Sequence, residues 1–179
     1  MHMLHVHPNV PLKETLAQLS NFAKFSLIEK IEPKFFQTSA EGSKKVAEVI
    51  RDSIIAKNKI SKEPFVLGLA TGNTPLKVYK ELVAMHKKGE LSFKNVVTFN
   101  LDEYYPILKD NRESYNYYMR INLFNHIDIP AENINIPDGE LPKEKVSSFC
   151  DEYEQKIKYY GGIDLQILGI GRTGHIGFN

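Results

Sequence analysis

The chain has 179 residues, 42% of them hydrophobic and 25% charged, with 23 Lys and Arg against 22 Asp and Glu. That is enough for one domain with a real core, and the near-zero net charge excludes an electrostatic footprint for nucleic acid or an anionic membrane surface. No apolar run spans a bilayer, no basic-then-apolar leader opens the chain, and the single cysteine, Cys150, excludes an internal disulfide, so a reducing, cytoplasmic setting is expected.

Residues 1–37 read as an N-terminal appendage. His2, His5 and His7 could ligate a metal, but a frayed terminus or cloning remnant explains them more simply. Pro11 can open a short helix with Leu12, Leu16, Leu19 and Ala23 on one face. The main domain is expected over residues 38–179. Thr38 to Glu41 has the T-x-x-E form of a capping box. Val46, Val49, Ile50 and Ile54 follow at helical spacing, which predicts a helix to about Lys57. Lys59 to Pro64 is a turn, and Phe65 to Ala70 is a buried strand.

Thr71, Gly72, Asn73, Thr74 and Pro75 come next. Thr74 can cap a helix whose first residue is Pro75. Leu76, Tyr79, Leu82 and Val83 give that helix an apolar face, and Gly89 ends it. A strand feeding a glycine turn and a helix start presents free N–H groups and the positive end of the helix dipole. That is an anion site, commonly for phosphate. It is not a Walker motif, because G-x-x-x-x-G-K-[ST] is absent.

Phe93 to Leu101 is the second strand, and it ends in Asp102 and Glu103. Acidic pairs more often cap helices or face solvent. This pair follows a buried strand, where ligands of open α/β sheets bind. Ser114 can cap a helix through Tyr118 and Ile121 to about Phe124, whose aromatics read as core. Ile127 to Gly139, with Pro130 and Pro137, is an irregular connection. Pro142 opens a long helix with Val146, Phe149, Cys150, Tyr153, Ile157 and Tyr160 on its stripe, and Gly161 stops it. On that stripe Cys150 is a small core residue and no nucleophile.

Asp164 to Ile170 is the third strand. Gly169 to Gly174 then matches G-x-G-x-x-G. A dinucleotide fingerprint should open a helix and find an acidic residue about 20 positions later. His175 follows at once instead, so NAD binding is disfavoured. Boxed by Gly174 and Gly177, His175 is a candidate for proton transfer.

Four stretches together carry a resemblance: LGLATGNTPLKVYKELV, VVTFNLDEYY, ESYNYYM with FNHIDIPAENIN, and IDLQILGIGRTGHIGFN. In order and spacing they closely resemble the glucosamine-6-phosphate deaminase family from about Thr38 to Asn179. The resemblance implies a Rossmann-like α/β three-layer sandwich with a mostly parallel sheet. It implies conversion of glucosamine 6-phosphate and water to fructose 6-phosphate and ammonia, without metal or organic cofactor. Thr71, Gly72, Asn73 and Thr74 would hold the phosphate, and Glu103, Thr173, Gly174 and Gly177 would complete substrate binding. Asp102 would move the proton between C2 and C1, and His175 would assist ring opening. The expected partner is a small sugar phosphate, and homo-oligomers are common in the family.

Two departures stand out. The family usually has an aspartate at the position of Thr173, and a hydroxyl cannot supply that charge. Family members also continue beyond the F-N, through a glutamate that works with the histidine and basic residues that bind phosphate. The chain is therefore expected to be the N-terminal part of such a domain, inactive alone and with apolar surface exposed. Two alternatives remain. One is a 6-phosphogluconolactonase-like hydrolase, whose usual motif has arginine where this chain has Tyr104. The other is a sugar-phosphate sensor without turnover, which Thr173 keeps open.

Overall fold

The computed structural model describes residues 33–178 of the chain. The expectations for His2, His5, His7 and the Pro11 helix lie outside them. The elements begin with helix α1 (Ser39–Ile60), strand β1 (Phe65–Leu69), helix α2 (Leu76–Lys87) and strand β2 (Val96–Asn100). Helix α3 (Tyr115–Asn122), strand β3 (Ile134–Asn135), helix α4 (Val146–Tyr159) and strand β4 (Leu165–Gln166) complete it. All strands are parallel, in the order β3-β2-β1-β4.

Every residue of β1 and β2 is buried, as continuous apolar runs covered on both faces must be. Alternation sends Phe65, Leu67, Leu69 and Val96 to one face, where they pack with Ile50, Ile54, Tyr79, Leu82 and Met119 of α1, α2 and α3. Val66, Val97 and Phe99 go to the other face and meet Tyr153 and Ile157 of α4. Phe99 stands edge-on to Tyr153 at 5.4 Å and to Tyr160 at 6.2 Å. Helices on both faces of a parallel sheet make the expected three-layer α/β sandwich.

Side-chain caps start two of the four described α-helices, α1 and α3. Thr38 Oγ1 accepts the Glu41 N–H at 3.2 Å, and the Glu41 carboxylate reaches back to the Gln37 N–H at 3.2 Å. Ser114 Oγ accepts the Asn116 N–H at 3.0 Å, so α3 starts where predicted. Its α-helical part stops at Asn122, and a 3-10 turn follows over Phe124–His126.

Several boundaries differ from the sequence reading, each for a local reason. Strand β2 is shorter than Phe93 to Leu101, because the Phe93 N–H turns to Asp128 Oδ1 at 2.6 Å and the Val96 N–H turns to the Phe93 carbonyl. The irregular 127–139 connection contains β3, which pairs Thr98↔Ile134 and Phe99↔Asn135. Pro142 opens a 3-10 turn, Lys143–Lys145, before α4. Cys150 is exposed, correcting its place on the buried stripe; Val146, Phe149, Tyr153, Ile157 and Tyr160 form that stripe without it. Strand β4 is only two residues, at one edge of the four-stranded sheet, and Leu168 and Ile170 beyond it are each 45% exposed. The Gly169 to Gly174 stretch opens no helix among the described residues, which removes the structural basis for a dinucleotide site.

Asp128 joins the start of β2 to α2. It accepts from the Phe93 N–H at 2.6 Å and the Ser92 hydroxyl at 2.7 Å, with His86 Nδ1 at 3.5 Å. Burial works to raise its pKa, but the Phe93 N–H, the Ser92 hydroxyl and the His86 ring outweigh it, and the net value lies below 3.8. A depressed folded-state pKa contributes stability above the unfolded value, lost as pH falls through the folded one. Asp128→Asn is therefore expected to cost about 1–3 kcal/mol at pH 7. The gap should narrow as pH falls below the ordinary carboxylate value of 3.8, as urea midpoints at pH 7 and in acid would show. An equal gap at both contradicts this account.

Candidate active site

The carboxyl ends of β4, β1 and β2 lie side by side, and their following loops enclose a cavity of about 230 Å³. Ala70, Thr71, Gly72, Asn73 and Thr74 line it after β1, and Leu101 and Asp102 after β2. Gly169, Ile170, Gly171, His175 and Gly177 line it after β4, and Tyr115 closes it from α3.

Tyrosines hold the strand-end carbonyls that frame the site. The buried Tyr79 hydroxyl donates to the Ala70 carbonyl, and Tyr118 donates to the Gly72 carbonyl at 2.6 Å. Tyr153 donates to the Asn100 carbonyl at 2.9 Å and to Asn135 at 3.1 Å. All three phenols have raised pKa values, burial being the largest cause of each, so they stay protonated donors.

The turn after β1 leads into a helix start that no side chain caps. Gly72 has φ +102°, a conformation that favours glycine. Thr74 does not cap α2. Pro75 holds the cap position, and no side chain bonds the first-turn N–H groups. The first turn also carries no acidic residue, so its donors and positive dipole end are not neutralised there.

Asp102 and Glu103 have opposite fates. Asp102 is half-buried and lines the cavity. Burial raises its pKa above 3.8, the Glu103 charge raises it further, and the Phe178 N–H opposes both. A carboxylate shifted upward is a better proton acceptor near neutral pH. Gly177 allows the close approach of its loop: a Cβ there would lie 2.8 Å from Asp102 Oδ2.

Glu103 is absent from the cavity lining. Its carboxylate accepts from the Ser114 hydroxyl (2.8 Å) and the Tyr104 (2.9 Å), Tyr115 (2.8 Å) and Asn116 (2.9 Å) N–H groups. It closes the N-terminus of α3, where a negative charge is favoured. This placement leaves it no oxygen turned to a ligand in the cavity, in contrast to the substrate contact expected from sequence.

The loop after β4 carries the histidine. The His175 ring packs over Gly171, where any Cβ would overlap it. Thr173 Oγ1 lies 2.8 Å from His175 Nδ1. Thr173 and Gly174 are outside the cavity lining. Gly174 shapes the turn with φ +84°, its N–H bonded to the Gly171 carbonyl at 3.0 Å. The structure thus brings Thr71, Gly72, Asn73, Thr74, Asp102, His175 and Gly177 together, and sets Glu103, Thr173 and Gly174 around them.

Sequence reading missed Tyr115, which it assigned with the other α3 aromatics to the core. Its ring lies 5.0 Å from Tyr104 and 5.6 Å from Phe178, and with Thr71 it lines the cavity. Burial, and then the neighbouring Tyr104, push its phenol up to about 12, with the Thr71 side chain working the other way. The available signal was its position just after the Ser114 cap. A residue in the first turn of a helix that starts at a strand end faces the ligand side of an α/β sheet.

Residues 37–177 match the family described as glucosamine-6-phosphate isomerases/6-phosphogluconolactonase. Glucosamine-6-phosphate deaminase of Thermoanaerobacter sp. (strain X514) is 53% identical over 78% of this chain and 52% of its own length. The enzyme of that name from Serratia proteamaculans is 50% identical over 95% of this chain and 54% of its own. The chain spans about half the length of the curated relatives it matches. Among solved structures, a monomeric glucosamine-6-phosphate deaminase superposes with a TM-score of 0.73 and 41% identity, covering 80% of this chain and 56% of that one. A 6-phosphogluconolactonase from Plasmodium vivax gives 0.62 and 29%, covering 75% and 46%.

Proposed function

Because this chain belongs to the family of glucosamine-6-phosphate isomerases and 6-phosphogluconolactonases, we propose that it serves the conversion of glucosamine 6-phosphate and water to fructose 6-phosphate and ammonia. One observation carries the reading. The Thr71 to Thr74 turn, which leads into the uncapped start of α2, and the half-buried Asp102 carboxylate line one cavity. A sugar phosphate needs both, an anion handle at one end and a base at the other. Identities of 50–53% to proteins named as deaminases, against 29% to a lactonase of known structure, favour the deaminase over the lactonase.

The phosphate binds the Thr71 to Thr74 turn and the first N–H groups of α2, and so positions the distant reacting carbons. Asp102 takes the proton from C2 and returns it to C1 in the aldose–ketose exchange. His175 passes a proton to the ring oxygen as the sugar opens. Thr173 occupies Nδ1 and leaves Nε2 as the nitrogen that works on the substrate. No organic cofactor enters this scheme, and the setting proposed is cytoplasmic. No helix among the described residues is long and apolar enough to cross a membrane.

The phosphate handle can be tested by calorimetric titration with glucosamine 6-phosphate and with glucosamine. Charge-assisted hydrogen bonds of ~1.5–3 kcal/mol predict roughly 10–100-fold weaker binding without the phosphate. Equal affinities, or no binding of the phosphorylated sugar, would count against the handle.

A further inference from the structure

Strand β2 carries three buried polar atoms that no described residue satisfies. Thr98 is 1% exposed and Asn100 2%. Thr98 Oγ1 and both polar atoms of the Asn100 side chain, Nδ2 and Oδ1, lack a hydrogen-bond partner among the described residues. The carbonyls around them are all tied. Asn133 Nδ2 donates to the Val96 carbonyl at 3.0 Å, Asn135 Nδ2 to the Thr98 carbonyl at 2.9 Å, and Tyr153 Oη to the Asn100 carbonyl at 2.9 Å. Alternation turns Val97 and Phe99 towards α4, and Val96, Thr98 and Asn100 to the opposite face. Their ladder neighbours on that face, Leu67, Leu69 and Ile134, have no polar side-chain atom. The two hydroxyls of the cluster that covers this face, those of Tyr79 and Tyr118, already donate to the Ala70 and Gly72 carbonyls. Leu101 and Asp102, the next residues of the chain, line the cavity. The unsatisfied pair therefore sits on the strand immediately before the site.

We propose that Thr98 and Asn100 bind one internal water, and that this water fixes the strand end from which Asp102 projects. Residues two apart on a strand stand about 6.6 Å from each other. That is too far for these two side chains to bond directly, but a water with hydrogen bonds of about 2.8 Å reaches both. The three atoms select water by their chemistry. Asn100 Oδ1 needs a donor, Nδ2 needs an acceptor, and Thr98 Oγ1 takes either. An internal water makes about three hydrogen bonds and serves as donor and acceptor at once. A cation is repelled by the Nδ2 donors and an anion by Oδ1, and the cluster on this face contains no charged side chain. With the water bound, Asn100 is held through its side chain as well as its carbonyl, and the chain enters the cavity from a fixed point. The water site stands apart from the sugar-phosphate reading. Its effect on turnover rests on that reading, through Asp102 as the base.

The test is NMR on the 179-residue chain, reading nuclear Overhauser transfer from water to the Asn100 side-chain amide protons. A cross-peak with the sign of a long-lived bound water is expected. Thr98→Val keeps the β-branched shape but removes the hydroxyl, and it should weaken that cross-peak. Thr98→Ser keeps the hydroxyl and should retain it. The Leu101 N–H donates to the Leu69 carbonyl at 3.3 Å. In Thr98→Val its hydrogen exchange should quicken about 2–10-fold, the effect of losing one buried hydrogen bond. No long-lived cross-peak at Asn100, or an equal one in Thr98→Val, would overturn the water site. An Asn100 side-chain signal that moves when sodium replaces potassium at constant ionic strength would give the place to a cation and overturn it as well. Unchanged Leu101 exchange once the water is lost would overturn the hold on the strand end. In the full product of the reading frame, Thr98→Val should lower kcat for ammonia release about 2–10-fold with KM unchanged, and Thr98→Ser should recover it. A parent that neither binds glucosamine 6-phosphate nor releases ammonia sinks the sugar-phosphate reading, and the cross-peak and the Leu101 exchange still decide the water and its hold.

Discussion

Asp102→Asn is expected to lower ammonia release from glucosamine 6-phosphate about 10²–10⁴-fold, the usual range for removing a general base. The assay belongs with the full product of the reading frame that encodes this chain. Asparagine keeps the shape of the side chain, but it cannot take a proton from C2. The effect should therefore fall on kcat, with KM nearly unchanged, because the phosphate turn is intact. The raised pKa sets the sign of the pH dependence. The base works only when ionised, so activity rises with pH through a midpoint above the ordinary carboxylate value of 3.8. A variant retaining kcat within ten-fold of the parent would remove Asp102 from the role of base.

Glu103→Ala is expected to have the largest effect on stability, about 2–4 kcal/mol in urea unfolding, from the loss of charge-assisted hydrogen bonds at a helix N-terminus. Its carboxylate accepts from Ser114 Oγ and from the Tyr104, Tyr115 and Asn116 N–H groups. Without it the Ser114 hydroxyl, on a fully buried residue, keeps only its role as acceptor for α3. Glu103→Gln retains one good acceptor oxygen and should lose about half as much. The same substitution loosens Tyr115, so weaker binding of the sugar phosphate should accompany it. An unchanged urea midpoint in Glu103→Ala would instead show the carboxylate free for a ligand, as the sequence alone suggested.

That pair of neighbours shows what was legible in the sequence and what was not. The β-branched run from Val96 announced a buried strand, and the acidic pair after it announced a strand-end site. The choice between Asp102 and Glu103 was not readable there. It depends on which side chain meets the Ser114 cap eleven residues on, a tertiary fact. The anion turn, Asp102 and the His175 loop were found separately as three strand ends. They meet because β4, β1 and β2 are adjacent in a parallel sheet.

Strands β3 and β4, two residues each, are too short for a periodic signal, so one was missed and the other drawn too long. Cys150 lies one position from Phe149 on α4, about 100° around the helix axis, and that rotation takes it from the packed stripe to solvent. Tyr115 was hidden because an aromatic after a helix cap looks the same whether it faces a core or a cavity.

The most direct test of the central claim is to measure ammonia and fructose 6-phosphate together, from glucosamine 6-phosphate, with the full product of the reading frame. Equimolar release of both, abolished in Asp102→Asn, is the result expected of an anion turn and a base serving one deamination. Tight binding of the sugar phosphate with neither product, or hydrolysis of 6-phosphogluconolactone in its place, would contradict it.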